Sequence, residues 1–146
     1  MNSIDTNVLI HALDQSAPGH KRAYEIYRRM FSEVDAWIVA DQTLFELYRA
    51  LRNPKFFETP LDGVEALEIV EQLRDRSQVR SVAYESRLWR EVTGLLRATG
   101  DRRGVLVFDI VLAVTLKAGG VKRFYTRNTK DFEGFGFFEV VDPLVE

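Results

Sequence analysis

The sequence predicts an α/β fold with a largely parallel sheet, in one domain that spans residues 1–146. Short runs of β-forming residues alternate with segments of helical periodicity along the whole chain. The run 36–40 is continuously apolar, which is typical of a parallel strand that is buried on both faces. With 46% hydrophobic residues and no internal repeat or linker, the chain can build a single core.

In the first half of the chain, we expect strands at 2–5 and 36–40 and helices at 8–13, 18–31, 41 or 42 to 52, and 62–74. Pro18 should lie in the first turn of the second helix, where its missing N–H costs no hydrogen bond. Asn53 and Pro54 end the third helix, since the residue before a proline disfavours helical backbone. In the fourth helix, the residues expected to face inward are Leu67, Val70 and Leu73.

In the second half, we expect strands at 79–83, 123–126 and 137–141 and helices at 84–98 and 105–118. The polar stretch 99–104 should be a loop. Gly119 and Gly120 close the last long helix. The core face of the helix at 84–98 is predicted to contain Leu88, Val92, Leu95 and Leu96.

Composition narrows the range of functions. The absence of cysteine excludes disulfides, thiolate metal sites and cysteine nucleophiles. The net charge of −2, from 20 basic and 22 acidic residues, argues against nonspecific coating of nucleic acid, but it is compatible with a basic rim around an acidic centre. The longest nearly apolar run, 105–116, is too short to span a bilayer, so we expect a soluble, cytoplasmic protein.

Three acidic residues stand in unusual positions. Asp5 follows the first strand, at the carboxyl end where parallel sheets bind ligands. Glu46 lies on the helix that begins directly after the second strand. Asp109 is the only ionisable residue in the run 105–116, where an uncompensated charge costs on the order of several kcal/mol.

Each of these acids also has an ordinary structural interpretation. Asp5 is in position to cap the helix that follows it. Glu46 could be a solvated glutamate paired with an arginine of its own helix. Asp109 would be a cap if the chain were extended up to residue 108 and helical from residue 110. Taken together, however, one acid from each of three elements suits a hard divalent cation, because Mg²⁺ and Mn²⁺ prefer oxygen ligands.

Four motifs resemble those of PIN domains and occur in the same order along the chain. They are the segments 3–10, 43–47, 108–113 and 125–132, with the sequences SIDTNVLI, TLFEL, FDIVLA and YTRNTKDF. The length matches that of VapC-type toxins. The resemblance implies a three-layer α/β/α fold around a mainly parallel five-stranded sheet, and Mg²⁺- or Mn²⁺-dependent endoribonuclease activity. It also implies a homodimer and inhibition by a cognate antitoxin peptide that lies over the site.

The metal-binding acids that the resemblance implies are Asp5, Glu46 and Asp109. The fourth acidic position is open, because the family often has an aspartate shortly after its closing threonine, where this chain has Asn128. Asp131 follows three residues later, and either residue could complete the site. The resemblance also implies supporting roles. Thr6 and Asn7 are expected to fix the first carboxylate by hydrogen bonds, and Thr126 is expected to contact a phosphate or the metal-bound water.

The sequence therefore predicts metal-assisted hydrolysis of RNA phosphodiesters by the toxin of a type II toxin–antitoxin pair. Basic residues near the motifs that could steer RNA are Arg49, Arg102, Arg103, Arg127 and Lys130. His11, on the first helix, is expected to be a surface or structural residue. The main alternative is a noncatalytic PIN-like module that binds RNA or protein, which Asn128 favours. A phosphatase fits poorly, because Asn7 stands where its pattern has a second aspartate.

Overall fold

The structure is a computed structural model that describes residues 1–99 and 107–145. The strands among these residues are β1 (Asn2–Ile4), β2 (Ile38–Ala40), β3 (Arg80–Val82), β4 (Arg123–Tyr125) and β5 (Glu139–Val141). Each lies within a predicted strand segment and is one or two residues shorter than that segment. All strand pairs are parallel, which confirms the predicted sheet type.

The strands form two ladders that meet at one bridge. One ladder has the order β1–β4–β5, with Ile4 opposite Tyr125, and the other pairs β2 with β3. A parallel bridge between Asn2 and Trp37 connects the ladders. The five strands therefore follow the order β5, β4, β1, β2, β3.

The α-helices described in residues 1–99 and 107–145 are α1 (Thr6–Leu13), α2 (His20–Ser32), α3 (Asp41–Leu51), α4 (Gly63–Glu71), α5 (Trp89–Thr99), α6 (Val107–Ala118) and α7 (Thr129–Glu133). A π-helical turn, Gln72–Arg76, continues α4, and a 3₁₀ turn, Ser86–Leu88, precedes α5. None of the helices in the described part of the chain has the length and apolar character needed to cross a membrane.

Helices cover both faces of the sheet, as the alternation of strand side chains shows. Val39 of β2 packs in the cluster formed with α1 to α4, whereas its neighbours Ile38 and Ala40 pack in the cluster formed with α6. In β4, Tyr125 belongs to the first of these clusters and Phe124 to the second. Consecutive strand residues point to opposite faces, so the sheet lies between two helical layers. The predicted three-layer arrangement is confirmed.

The carboxyl ends of the strands bring the candidate site residues together. Asp5 directly follows β1, and Thr126 directly follows β4. Because these strands are parallel and paired, both residues leave the sheet at the same edge, and the Asp5 N–H donates to the Tyr125 carbonyl at 2.8 Å. Helix α3 follows β2 without a loop and carries Glu46.

Several helix boundaries differ from the prediction. Helix α1 begins at Thr6, two residues early. Helix α2 begins at His20 rather than at Pro18, because Gly19 has a left-handed φ of 73° that is incompatible with the helix. The segment predicted to be helical from residue 84 turns first at Ser86 and becomes an α-helix only at Trp89.

The prediction for the core face of α4 was wrong at Leu67, which is 47% exposed. The buried residues of this segment are Ala66, Val70 and Leu73. The stripe that packs inward is thus displaced by one residue, because Ala66 and Leu67 both fit a helical spacing with Val70 and only one of them can face the core.

Residues 100–106 lie outside the described part of the chain. The predicted loop 99–104 is described only at Thr99, which is the last residue of α5 and not part of a loop. The predicted helix 105–118 is described from Val107. Two of the candidates for steering RNA, Arg102 and Arg103, fall in the segment that the structure leaves undescribed.

Candidate active site

Asp5 is an acid in a buried position, with only 7% of its surface exposed. Burial is the largest of the effects that raise its pKa to about 6, and the negative charges of Glu46 and Asp109 act in the same direction. Hydrogen bonds from the Thr126 hydroxyl and the Thr6 N–H oppose this shift. Asp5 is also the N-cap of α1, so the structural interpretation and the functional one both apply to it.

Thr126 connects Asp5 to the rest of the fourth motif, residues 125–132, by hydrogen bonds. Its buried hydroxyl donates to Oδ2 of Asp5 at 2.7 Å and accepts from the Asn128 N–H at 3.1 Å. Asn7 Nδ2 reaches the same hydroxyl at 3.4 Å, which is a long contact. Asn7 therefore acts on Asp5 through Thr126 and not by a direct bond, as far as the described contacts show.

Glu46 lies partly buried on α3, and both of its carboxylate oxygens are held. Thr6 Oγ1 donates to Oε2 at 3.0 Å, and Gln42 Nε2 donates to Oε1 at 3.2 Å. In the described residues no ion pair joins Glu46 to Arg49 or Arg52. The ordinary interpretation of Glu46 as one half of a surface ion pair is thus not what the structure has.

Gln42 is a site residue that sequence reasoning missed. In addition to its bond to Glu46, its Nε2 donates to the backbone carbonyl of Phe108 at 3.0 Å. It thereby ties α3 to the first described turn of α6, next to Asp109. The spacing of four residues between Gln42 and Glu46 was a local signal, whereas the partner on α6 had none.

Asp109 lies within α6 and is half-buried. Val107 and Phe108 are already helical, so Asp109 does not cap a helix that begins at residue 110. Burial is the main cause that raises the pKa of Asp109 to about 6, followed by the negative charges of Asp131 and Glu46. Asp109 is therefore close enough to both acids for their charges to act on it.

The two candidates for the fourth acidic position differ in their surroundings. Asn128 is exposed at the N-cap position of α7, where its side chain makes no capping bond, and it is its backbone N–H that contacts Thr126. Asp131 is an exposed acid in the first turn of α7, and its charge acts on Asp109. The effect of its charge on the pKa of Asp109 therefore favours Asp131 over Asn128 for the fourth acidic position.

The site fits a divalent cation by charge and by ligand type. Other carboxylates are among the causes that raise the pKa of Asp5 and Asp109, and none of the main causes that lower either pKa is an arginine or lysine of the described residues. Carboxylate oxygens without a protein counter-charge suit a hard cation. Within residues 1–99 and 107–145, however, no three His, Cys, Asp or Glu side chains stand close enough to form a metal-binding group. The coordination of a metal stays a prediction.

Comparison with known proteins identifies the family. The family model of the PIN domain matches residues 3–137, and this chain therefore belongs to the PIN domain family. Ribonuclease VapC24 of Mycobacterium tuberculosis is 37% identical to it over 144 residues, which cover 99% of this chain and 97% of that protein. The resemblance inferred from the four motifs is confirmed.

Solved structures share the fold at low sequence identity. Mycobacterium tuberculosis VapC20, a sarcin–ricin loop cleaving toxin, has a TM-score of 0.71 and 18% identity, with 96% of this chain and 98% of that chain covered. A toxin–antitoxin complex from Klebsiella pneumoniae contains a chain with a TM-score of 0.61 and 18% identity, with 98% of each chain covered. These structures confirm the predicted PIN-like fold.

Proposed function

We propose that this chain is a metal-dependent endoribonuclease and the toxin of a type II toxin–antitoxin pair. The observation that carries the proposal is a cluster of acids: Thr6 donates hydrogen bonds to both Asp5 and Glu46, and these two acids and Asp109 act on one another electrostatically. The charge of Asp131 acts on Asp109. The similarity to ribonuclease VapC24, which extends over nearly the whole chain, supports RNA as the substrate.

A Mg²⁺ or Mn²⁺ ion is the proposed cofactor. The residues that would hold it are Asp5, Glu46 and Asp109, with Asp131 as the fourth acid. When bound, such an ion supplies positive charge against the RNA phosphate and lowers the pKa of a coordinated water. The proposal is supported by the like charges of neighbouring carboxylates, which raise the pKa of Asp5 and Asp109.

The chain's own residues orient these acids. Thr6 and Thr126 hold Asp5 by hydrogen bonds to its two oxygens, at 2.7 Å each. Each carboxylate oxygen retains a further lone pair for a ligand. Partners that fix the acids in this way keep a site preorganised and are as important as the ligands. We assign Asp131, which is exposed, the role of orienting the attacking water.

We further propose that an antitoxin covers the site and that the chain forms a homodimer. The toxin–antitoxin complex among the structural relatives supports an antitoxin partner. A cavity of about 850 Å³ adjoins Glu46 and is bordered by Phe45, Trp89 and Phe108, which are 75%, 63% and 66% exposed. Exposed apolar surface of this kind fits a protein partner. Light scattering of the purified chain, alone and with its antitoxin, measures both assemblies.

Cleavage of single-stranded RNA by the purified, antitoxin-free chain tests the proposal. We expect cleavage with Mg²⁺ or Mn²⁺ and none in excess EDTA. Asp109→Asn should lower the cleavage rate at least about a hundredfold, since it removes a charge that the metal requires. Asp75→Asn is the matched control, because Asp75 is an exposed aspartate paired with Arg74. Equal cleavage in EDTA, or by Asp109→Asn, would overturn the proposal.

The alternative of a noncatalytic binding module keeps one supporting observation, the uncharged Asn128 after the closing threonine. It predicts that the chain binds RNA or a protein partner and that no divalent ion induces cleavage. Replacement of Asn128 by Asp separates the two: in an enzyme it should change the rate or metal preference, and in a binding module cleavage stays absent.

A further inference from the structure

We infer that Arg127 binds a backbone phosphate of the RNA at the rim of the acidic site, and that His11 is the positioning residue that holds its guanidinium. The inference rests on the proposed ribonuclease function and names a substrate contact that the acids do not provide. Arg127 directly follows Thr126, the residue whose hydroxyl bonds to Asp5. Its side chain therefore begins beside the carboxylates.

Helix α1 holds Arg127 at two points. Asn7 and His11 are four residues apart, so they lie on the same face of α1, one turn from each other. The Oδ1 atom of Asn7 accepts the backbone N–H of Arg127 at 3.1 Å. The Nε2 atom of His11 lies 3.1 Å from Nη1 of Arg127. One helix thus fixes both the backbone and the side chain of this arginine.

The surroundings of His11 decide which ring nitrogen faces Arg127. The Nδ1 atom lies 2.8 Å from the Pro18 carbonyl oxygen, which can only accept a hydrogen bond. Nδ1 must therefore carry the ring proton, and the Nε2 atom of the neutral ring is left as an acceptor for the Nη1 donor of Arg127. The Pro18 carbonyl, in the loop between α1 and α2, therefore fixes the His11 ring so that its acceptor atom Nε2 faces Arg127.

The guanidinium retains donors for a ligand. Its Nε atom forms a long ion pair with Oδ2 of Asp142, at 3.9 Å, which is beyond hydrogen-bond distance, and Nη1 is engaged by His11. None of the hydrogen bonds in the described part of the chain uses Nη2, and the side chain is 42% exposed. A planar guanidinium with open N–H groups is suited to phosphate oxygens. At the edge of an acidic site, it provides the positive charge that draws in an RNA backbone.

The first test is the salt dependence of RNA affinity, measured by fluorescence anisotropy of labelled single-stranded RNA in EDTA. Arg127→Ala should weaken binding about tenfold at low salt and reduce the slope of log affinity against log salt by about 0.7, the value for one phosphate contact on a single strand. Arg123→Ala is the matched control. Arg123 has the same charge at the opposite end of β4, where it pairs with Glu139, so its loss should leave the slope unchanged.

Two substitutions of His11 separate positioning from a structural role. Gln places an amide oxygen where Nε2 was and so retains an acceptor for Arg127, whereas Asn places an amide where Nδ1 was and retains the bond to Pro18. If His11 positions Arg127, His11→Gln should bind RNA about threefold more tightly than His11→Asn. If His11 only closes the loop between α1 and α2, His11→Asn should be the milder change in both affinity and unfolding midpoint, which would overturn the positioning role.

The outcomes distinguish this inference from the proposed function. Cleavage by the wild type with equal affinity and slope in Arg127→Ala and Arg123→Ala would overturn the inference and leave the ribonuclease proposal intact. Binding that depends on Arg127 without any cleavage would support the inference and contradict the proposed enzyme. If the wild type neither binds nor cleaves RNA, both the inference and the proposed function are overturned. In the Arg127→Ala background, His11→Asn and His11→Gln should become equal, because the group that His11 holds is gone.

Discussion

Asp5 combines two roles that compete energetically. Its side chain accepts the Thr6 N–H at the start of α1, as a cap does, and it also lies near Glu46 and Asp109. Because burial and like charges raise its pKa, the folded protein holds the charged form of Asp5 less readily than the unfolded chain does. Ionised Asp5 therefore lowers the stability of the metal-free fold, and a bound cation would offset this cost.

We expect Asp5→Asn to stabilise the metal-free protein near neutral pH. The pKa of Asp5 rises from 3.8 to about 6 on folding, so its contribution to the free energy of unfolding falls as pH rises from about 4 to about 6 and stays low above that. Removal of the charge should raise the free energy of unfolding at neutral pH by on the order of 1–3 kcal/mol. The altered hydrogen bond to Thr126 offsets part of this gain. The gain should be smaller near pH 4, where Asp5 is largely protonated in the folded protein.

Urea unfolding of the two proteins in EDTA, at neutral pH and near pH 4, measures this difference. A cap whose charge has no unfavourable neighbours would give the opposite sign. The expectation fails if Asp5→Asn lowers the free energy of unfolding at both pH values.

Thr126→Val should damage both stability and cleavage. The substitution keeps the shape of the side chain but removes the hydroxyl that donates to Asp5 and accepts the Asn128 N–H. We expect the free energy of unfolding to fall by about 1–3 kcal/mol and the cleavage rate to fall at least about tenfold, as Asp5 loses its orientation.

Thr115→Val is the matched control for this substitution. Thr115 is as buried as Thr126, but its hydroxyl has no hydrogen-bond partner among the described residues. Its replacement should leave cleavage unchanged and stability equal or slightly higher. Equal effects of the two substitutions in denaturant unfolding and cleavage assays would mean that the Thr126 hydroxyl has no special role.

At the scale of elements, periodicity locates helices but does not fix their starts or their faces. Gly19 shows this at the start of α2, where its positive φ delays the helix beyond Pro18. In α4, residues 66 and 67 fit two neighbouring apolar stripes, and packing against α3 selects the stripe with Ala66. The bounds of α3 were predicted closely, because this helix follows β2 directly and ends before Asn53 and Pro54.

Two glycine substitutions should have opposite effects on stability. Gly19→Ala should lower the free energy of unfolding by about 1–2 kcal/mol, because φ is 73° and a Cβ would lie 3.0 Å from Cδ2 of Leu144. Gly94→Ala, within α5, should raise it by about 0.5–1 kcal/mol, because alanine favours the helix and nothing lies within 4 Å of its Cβ. Thermal or urea unfolding measures both, and equal signs would contradict this account of the α2 start.

Across the whole molecule, the acids that the sequence singled out come from separate segments of the chain. Asp5 stood out at a strand end and Asp109 in an apolar run, whereas Glu46 was distinguished only by its place on the helix after the second strand. The order of strands and helices predicted that parallel strands would end at one edge. The structure brings these residues within electrostatic reach of one another: Asp5, Glu46 and Asp109. Their role in holding a metal remains a prediction.

Two residues that position groups at this site, Gln42 and His11, could not be predicted, because their contacts depend on the order of strands in the sheet. Gln42 bonds to the Phe108 carbonyl across 66 positions of the chain, and His11 contacts Arg127 across 116. Neither glutamine nor histidine is unusual on a helix, and the spacing of four residues between Gln42 and Glu46 gave no indication of the partner on α6. His11, expected to be a surface or structural residue, contacts an arginine beside the site.

Calorimetric titration of Mn²⁺ into the purified, antitoxin-free chain shows whether the acids share one ion. We expect the wild type and the control Asp75→Asn to bind the ion with equal affinity. Asp5→Asn and Asp109→Asn, whose sites lie on separate segments of the chain, should each weaken binding at least about tenfold. Wild-type affinity in both of these variants would contradict a shared metal site.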